Sequence, residues 1–340
     1  MLMKQLALAI MIAIRVIAQT GSDAPPVPPP GKLVDIGGWR LHLHCAGEAR
    51  RSQPTVILEA GVGDFSVEWS LVQPRVATFA RVCSYDRAGD GWSDLGPHPR
   101  TIRQIVYELH TLLDKDGVRP PYVLVGHSFG GWPVRLYAST YPTEVVGMVL
   151  VEGGYDNPIR LTANGKEVRA SELATGRAIP ELNKTTPLRE SDVPLGALNQ
   201  MKAGGQRSIA KANEPPRDKL PAEAQRMRVW AIGRWQHAAA AVNPFEVEEF
   251  AILRTQRGKS PYPLGDMPLI VLTRGVSDED GPDGKAHEAD RRKEHAELAK
   301  MSRNGKQIIA EGSGHHIQIE DPELVAKCIQ EVVGASRPVR

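Results

Sequence analysis

Cysteine and aromatic residues are scarce in this 340-residue chain, and neither sign of charge prevails. The three cysteines, Cys45, Cys83 and Cys328, are too few for a scaffold held together by disulfides, although one bridge is possible. They show no metal-site spacing, and we expect each to be a buried, small apolar residue. Because 42 basic and 40 acidic residues are mixed along the chain, the sequence lacks the basic surface that nucleic-acid binding requires.

A long hydrophobic run is also absent. The apolar stretch at residues 6–18 is interrupted by Arg15 and is shorter than the about 20 residues that a membrane span needs. Lys4 precedes this stretch, and a proline-rich segment ends at Pro30. We therefore interpret residues 1–30 as a signal peptide and linker. This predicts a secreted or periplasmic protein with no stable membrane span in its mature form, or a cytoplasmic protein if the leader is not cleaved.

The chain is 41% hydrophobic, so it can bury a sizeable core. Short apolar runs at residues 55–59, 81–86, 122–126 and 145–151 are typical of buried parallel strands. Between them, residues 101–115 carry apolar side chains at helical spacing. This alternation predicts the α/β fold class, with a mostly parallel central sheet and helices on both of its faces.

The alternation of strands and helices stops at about residue 155 and resumes near residue 264. The intervening segment is rich in charges and prolines and has only a patchy helical pattern. We therefore predict one core made of residues 31–154 and 264–340, and an inserted helical cap made of residues 155–263. The charged run at residues 285–300 is interpreted as an exposed helix.

The segment Gly126-His127-Ser128-Phe129-Gly130 follows a predicted buried strand directly and precedes a helical run. Gly-x-Ser-x-Gly in that context is typical of a nucleophile elbow, a tight turn that exposes the serine hydroxyl. A serine needs a general base to become a nucleophile, so a histidine is expected later in the chain. His315 and His316 both follow the last predicted strand, and spacing alone does not separate them.

Taken in this order, these motifs resemble the α/β-hydrolase fold family over about residues 33–333. The resemblance implies that Ser128 is the nucleophile and His315 its base. The acid that it implies is Asp278, three residues after Gly275, with Glu152 at the end of an earlier strand as the alternative. It also implies an oxyanion hole formed by the N–H groups of Phe129 and Val62. The family commonly has His-Gly where this chain has Ala60-Gly61.

The function that the resemblance implies is a serine hydrolase, and we expect a carboxylesterase that acts on a small ester-like molecule without cofactor or metal. Alternatives are amide, peptide, lactone or carbon–carbon bond hydrolysis by the same triad, or a receptor that retains the triad without turnover. Three aromatic residues are candidates for the pocket wall, with core packing as the alternative for each: Phe65, Trp69 and Trp132.

Overall fold

A computed structural model describes residues 25–50, 53–161, 166–258, 260–278 and 281–336. Most of the predicted signal peptide and linker, residues 1–24, lies outside these ranges. Within the described ranges, no helix combines the length and the apolar character that crossing a bilayer needs.

The described residues form ten strands: β1 Lys32–Asp35, β2 Arg40–Ala46, β3 Thr55–Glu59, β4 Val82–Tyr85, β5 Tyr122–His127, β6 Val145–Val151, β7 Ile159–Leu161, β8 Glu167–Arg169, β9 Leu269–Arg274 and β10 Gly305–Ala310. Eight of them make one sheet in the order β1-β2-β4-β3-β5-β6-β9-β10. The pairs β1/β2 and β2/β4 are antiparallel, and every other neighbouring pair is parallel. The mostly parallel sheet that the sequence predicted is confirmed.

Eleven α-helices are present in the described residues: α1 Gln73–Val76, α2 Ile102–Lys115, α3 Gly131–Thr140, α4 Ala170–Leu173, α5 Leu195–Ile209, α6 Ala222–Ile232, α7 Trp235–Ala240, α8 Glu246–Gly258, α9 Gly281–Ala299, α10 Ile317–Glu320 and α11 Pro322–Ala335. Local sequence explains where several begin. The side chain of Thr101, for example, accepts a hydrogen bond from the Gln104 N–H and caps α2.

Helices cover the sheet on both faces because successive strand residues point to opposite sides. Ile57 and Leu124 belong to an apolar layer that includes the buried face of α2, whereas Val56 and Val123 belong to the layer packed against α11. Strands buried on both faces need continuous apolar sequence, which is why they appear as short unbroken hydrophobic runs.

The segment between β6 and β9 contains helices α4 to α8 and a two-stranded hairpin. In the hairpin, β7 pairs antiparallel with β8, so that Ile159 lies opposite Arg169. The sequence predicted helices only. Three-residue strands are too short to show the alternating pattern by which a strand is recognised, so the hairpin could not be read from periodicity.

Cys45 and Cys83 form a disulfide, which corrects the expectation that each cysteine is a separate buried apolar residue. The two residues lie directly opposite each other on the antiparallel strands β2 and β4, with their Cα atoms 4.0 Å apart. Residues that are far apart in sequence become neighbours by strand pairing, and spacing alone does not reveal this. Cys328 is free and buried, as expected.

Candidate active site

Ser128 stands at the turn between β5 and α3, with a backbone φ of 50°. The flanking glycines allow this turn because side chains would collide there. A Cβ on Gly126 would lie 2.5 Å from the Gly130 carbonyl oxygen, and a Cβ on Gly130 would lie 2.6 Å from the Glu59 carbonyl oxygen. The strand, turn and helix expected around the serine are therefore all present in the structure.

Glu152 occupies the matching position on the neighbouring strand. His127 and Val151 are paired across β5 and β6, so Ser128 and Glu152 each follow directly after a paired strand end. The backbone φ of Glu152 is also 50°, and these two are the only non-glycine residues with positive φ in the described part of the chain. Such backbone conformations are uncommon for residues other than glycine and concentrate at functional sites.

His315 connects the serine to this glutamate. The Ser128 hydroxyl donates to His315 Nε2 at 2.9 Å, and His315 Nδ1–H donates to Glu152 Oε2 at 3.3 Å. One imidazole ring can serve both partners because its two nitrogens point in opposite directions. The three side chains come from the ends of β5 and β6 and from the loop after β10, and they form the serine–histidine–acid geometry.

The structure does not bring Asp278 into this chain of hydrogen bonds. Its carboxylate forms an ion pair with Arg274, and its side chain is 54% exposed. Asp278 lies near Gly314, but the His315 ring is turned toward Glu152. The carboxylate next to His315 is thus the alternative, Glu152, rather than the favoured Asp278, because the Arg274 guanidinium at the end of β9 holds Asp278 elsewhere.

The surroundings of Glu152 stabilise its charged form. Burial raises the pKa of this carboxyl, but the hydrogen bond with His315 and the nearby charges of His295 and Arg291 outweigh it and lower the pKa to about 2. The Arg274 backbone N–H donates to Glu152 Oε1 at 2.8 Å. Glu152 is therefore ionised at neutral pH and can stabilise an imidazolium at His315.

His127 and His316 flank His315 without entering its hydrogen-bond chain. His127 Nε2–H donates to the backbone carbonyl of His315 at 3.0 Å, and Gln318 donates to His127 Nδ1 at 3.3 Å. Burial lowers the pKa of His127 to about 4 and that of His316 to about 2, so both rings are neutral at neutral pH. His127 holds the loop that carries His315, a role that the sequence did not reveal.

One group of potential metal ligands occurs among the described residues: Asp64, His127 and His316, whose ligand atoms lie within 4.8 Å of one another. Arg217 and Arg228 donate to Asp64 Oδ1 at 3.3 and 3.1 Å. A divalent cation would meet two guanidinium groups at the same carboxylate, so local charge opposes its binding. We interpret the group as a buried polar cluster, and a metal-free mechanism stays a prediction.

Val62 and Phe129, the expected oxyanion donors, both line the cavity that contains Ser128. Val62 is 58% exposed, which is compatible with a role that uses only its backbone N–H. The charged segment at residues 86–93 follows the end of β4. Its Arg87 side chain contacts the loop at residues 60–64, which we call the Val62 loop.

Arg87 is buried and donates to three carbonyl oxygens of that loop, at 2.8 Å to Ala60, 2.6 Å to Gly61 and 3.0 Å to Asp64. It also donates to Glu59 Oε1 at 2.6 Å. A guanidinium suits this task because its five donors are fixed in one plane. Arg87 is therefore a positioning residue for the backbone around Val62.

The cavity above Ser128 has a volume of about 550 Å³ and is lined by Trp132, as expected. Phe65 and Trp69 are not part of its wall. Phe65 is fully buried in an apolar cluster with Trp92, and Trp69 is fully buried in the layer beneath the sheet. Both aromatic rings pack in the core because their elements face inward, which corrects the prediction of a pocket role.

One face of α9 completes the cavity wall. Five residues of this helix line the cavity: His287, Asp290, Arg291, Glu294 and His295. The last four follow the first by three, four, seven and eight positions, which is the spacing of residues on one face of a helix. The interpretation of residues 285–300 as a simply exposed helix is therefore wrong for this face. Charged residues can line a cavity as well as a solvated surface, and their composition alone does not distinguish the two.

Comparison with known proteins agrees with this architecture. The model of the family described as "Alpha/beta hydrolase family" matches residues 41–327. An "AB hydrolase superfamily protein" of Gibberella zeae is 25% identical over 324 residues, covering 86% of this chain and 91% of that protein. A "Probable transporter efuK" of Hormonema carpetanum is 34% identical over 125 residues, which are 35% of this chain and only 18% of that protein.

Among solved structures, a thermophilic esterase from Thermogutta terrifontis superposes with a TM-score of 0.54 and 17% identity. The superposition covers 86% of this chain and 92% of that one. At this identity the likeness shows the fold alone.

Proposed function

Because the chain belongs to the alpha/beta hydrolase family, we propose that it is a serine hydrolase that cleaves carboxylic esters through an acyl-enzyme on Ser128. The observation that carries the proposal is the hydrogen-bond chain from the Ser128 hydroxyl through His315 to Glu152, at 2.9 and 3.3 Å. Glu152 is the acid in this proposal because its carboxylate is buried and points at the His315 ring.

In the first half of the reaction, His315 Nε2 takes the proton of the Ser128 hydroxyl as Oγ attacks the ester carbonyl carbon. The carbonyl oxygen becomes an oxyanion, which accepts hydrogen bonds from the Val62 and Phe129 N–H groups. Each such donor contributes about 3 kcal/mol in proteases. When the carbon–alkoxide bond breaks, His315 gives its proton to the leaving alcohol.

In the second half, water attacks the acyl-enzyme and His315 takes one of its protons. Breaking the bond between the acyl carbon and Ser128 Oγ then releases the carboxylic acid, and His315 returns the proton to the serine. Glu152 stays ionised throughout and stabilises the imidazolium. The segment between β6 and β9 covers the cavity in this proposal and selects the substrate, with Trp132 on the cavity wall.

The same triad could cleave an amide, a peptide, a lactone or a carbon–carbon bond, since fold alone does not determine the reaction. A receptor that retains the triad is the alternative from another class. The ionised Glu152 beside His315 favours turnover, because a receptor has no need of a group that stabilises an imidazolium.

The test is labelling by a fluorophosphonate probe together with hydrolysis of p-nitrophenyl esters of increasing acyl length. We expect the wild-type protein to be labelled and to turn over the short esters, and Ser128→Ala to do neither. Labelling without turnover of any of these esters, or of a matching amide or lactone, would favour the receptor. Absence of both activities in a folded protein would refute the serine-hydrolase assignment.

We also propose that the protein works in an oxidising compartment outside the cytoplasm. The Cys45–Cys83 disulfide supports this, since such bonds persist in secreted and periplasmic proteins and are rare in the cytosol. The test is alkylation of free thiols in intact cells of the source organism, followed by mass spectrometry. Recovery of both cysteines in the alkylated, reduced form would contradict this proposal.

A further inference from the structure

Four carboxylate side chains line the cavity that contains Ser128, in addition to Glu152. We call them the acidic wall: Glu167, Glu246, Asp290 and Glu294. They come from the hairpin strand β8, from the start of α8 and from the inner face of α9, so three elements bring acidic groups to the same cavity.

Positive charge at this cavity is outweighed. Arg169 forms ion pairs with two members of the wall, Asp290 at 3.1 Å and Glu294. Arg291 is the only lysine or arginine among the described lining residues. It lies 3.6 Å from Glu152 and 3.5 Å from Glu288, a further carboxylate that does not line the cavity. Arg274 pairs with Glu288 and lies 3.9 Å from Glu152, and His287 lies 3.2 Å from Glu167. Three guanidiniums therefore face a larger number of carboxylates, and the cavity carries a net negative charge when its histidines are neutral.

Aromatic rings complete the same cavity. Phe129, Trp132 and Tyr155 line it, and the Trp132 ring packs edge-on against Phe129 with their centroids 5.6 Å apart. Aromatic faces together with carboxylates form the environment that proteins use to bind quaternary and protonated amines. A volume of about 550 Å³ is large enough to hold such a group in addition to the ester.

A second cavity of about 610 Å³ shares Val62 with the first but has the opposite charge. Its wall carries Lys211, Arg217 and Arg228 and the single carboxylate Asp64. Acidic lining is thus a property of the Ser128 cavity itself and not of every cavity around the Val62 loop.

We propose that the Ser128 cavity selects esters that carry a positively charged amine, quaternary or protonated, in the acyl or the alcohol part. This inference rests on the proposed esterase function and names its substrate class. The acidic wall attracts the cation, the aromatic rings contact it, and the ester carbonyl reaches Ser128. An anionic substrate is repelled by the same wall.

The test uses matched ester pairs. One pair is acetylcholine and its carbon isostere, in which a tert-butyl group replaces the trimethylammonium group. The other is the p-nitrophenyl ester of γ-trimethylammonio-butanoate and its own tert-butyl isostere, with the hemiglutarate ester as the anionic counterpart. Each kcat/KM is divided by the rate constant of hydroxide-catalysed hydrolysis, which removes differences in intrinsic reactivity.

We expect a preference of about tenfold for the cationic member of at least one pair, and a smaller preference at high ionic strength. Glu294→Gln and Glu167→Gln should each reduce the ratio by about threefold. Glu297→Gln is the matched control, because Glu297 lies on the same helix α9 but is exposed and bonded to Lys300, and it should leave the ratio unchanged.

Phosphonate probes that carry the same charged and neutral groups provide a readout that does not need turnover, namely the rate of Ser128 labelling. Equal rates for charged and neutral partners in both assays would overturn the substrate class and leave the esterase proposal intact. The same holds if the Glu297 control changes the ratio as much as Glu294→Gln does. No labelling and no hydrolysis of any compound would instead overturn the esterase proposal itself.

Discussion

Replacement of Glu152 by Gln should lower kcat by about three powers of ten or more. The substitution keeps the shape of the side chain and removes its charge. At an effective dielectric constant of about 20, an imidazolium at His315 and a carboxylate at the 3.3 Å separation of Nδ1 and Oε2 attract each other by about 5 kcal/mol. In the transition state this corresponds to about three to four powers of ten in rate. Solvent at the partly exposed His315 ring reduces the effect, so we expect the lower end of that range.

The assay is initial-rate hydrolysis of p-nitrophenyl acetate, with Ser128→Ala as the background. Asp278→Asn is the control, since it removes the same charge from a carboxylate that is half exposed and paired with Arg274. It should change kcat by less than about threefold, because exposed ion pairs contribute little. Circular dichroism of both variants checks that the fold is retained. If Asp278→Asn abolishes activity while Glu152→Gln keeps it, the assignment of the acid is refuted.

Three further outcomes are expected. Arg87→Lys should lower kcat at least tenfold with little change in KM, because one ammonium group cannot replace the four hydrogen bonds of the guanidinium. Each buried carbonyl that is left unpaired costs about 1–3 kcal/mol. Arg100→Lys, at a buried pair with Glu108 away from the site, should leave kcat unchanged, and an equal loss in both variants would point to general destabilisation. The Cys45–Cys83 disulfide closes a loop with a sequence separation of 38. Its reduction should lower the free energy of unfolding by about 4 kcal/mol in urea titrations, and an unchanged midpoint of unfolding would contradict this prediction. Finally, the pKa of Glu152 falls from 4.5 to about 2 on folding, so its ionisation stabilises the fold above about pH 4.5 and that contribution is lost as the pH falls toward 2. Urea unfolding of wild type and Glu152→Gln should therefore converge in acid, and a constant difference between them would exclude this linkage.

The sequence predicted those parts of the site that are marked by a pattern of neighbouring residues. Ser128 sits between a strand and a helix that are both visible as local apolar patterns, and the glycines around it make the turn possible. His315 was favoured over His316 by resemblance, and the structure brings its ring to the Ser128 hydroxyl. Short-range patterns of this kind survive folding because the local backbone depends mainly on neighbouring residues.

The resemblance favoured Asp278 over Glu152, but two parallel strands, β6 and β9, both end at the edge of the sheet where His315 arrives. Glu152 directly follows β6 and Asp278 lies four residues after the end of β9, so a carboxylate follows each strand. The choice depends on Arg274, which binds Asp278 by its side chain and orients Glu152 by its backbone N–H. No pattern within either loop contains that information.

The other wrong predictions concerned whether a side chain faces the core, the cavity or the solvent. Phe65 and Trp69 follow the loop after β3 and are close in sequence to Val62, yet their rings turn into the core. The inner face of α9, by contrast, brings charged groups to the cavity although its composition suggested solvent. Aromatic residues are equally suited to a core and a pocket, and charged ones to a surface and a polar cavity, so composition cannot distinguish them.

The sequence by itself determined the α/β architecture, the position of the strand–turn–helix segment at Ser128 and the order of its candidate partners, because each depends on periodicity and on glycine at a few sites. Only the tertiary structure decided which carboxylate reaches His315, that Arg87 holds the Val62 loop, that Cys45 meets Cys83 and that an acidic wall faces Ser128. The first three are contacts between residues 23 to 163 positions apart, and such contacts are created by strand order and packing and not by any local pattern.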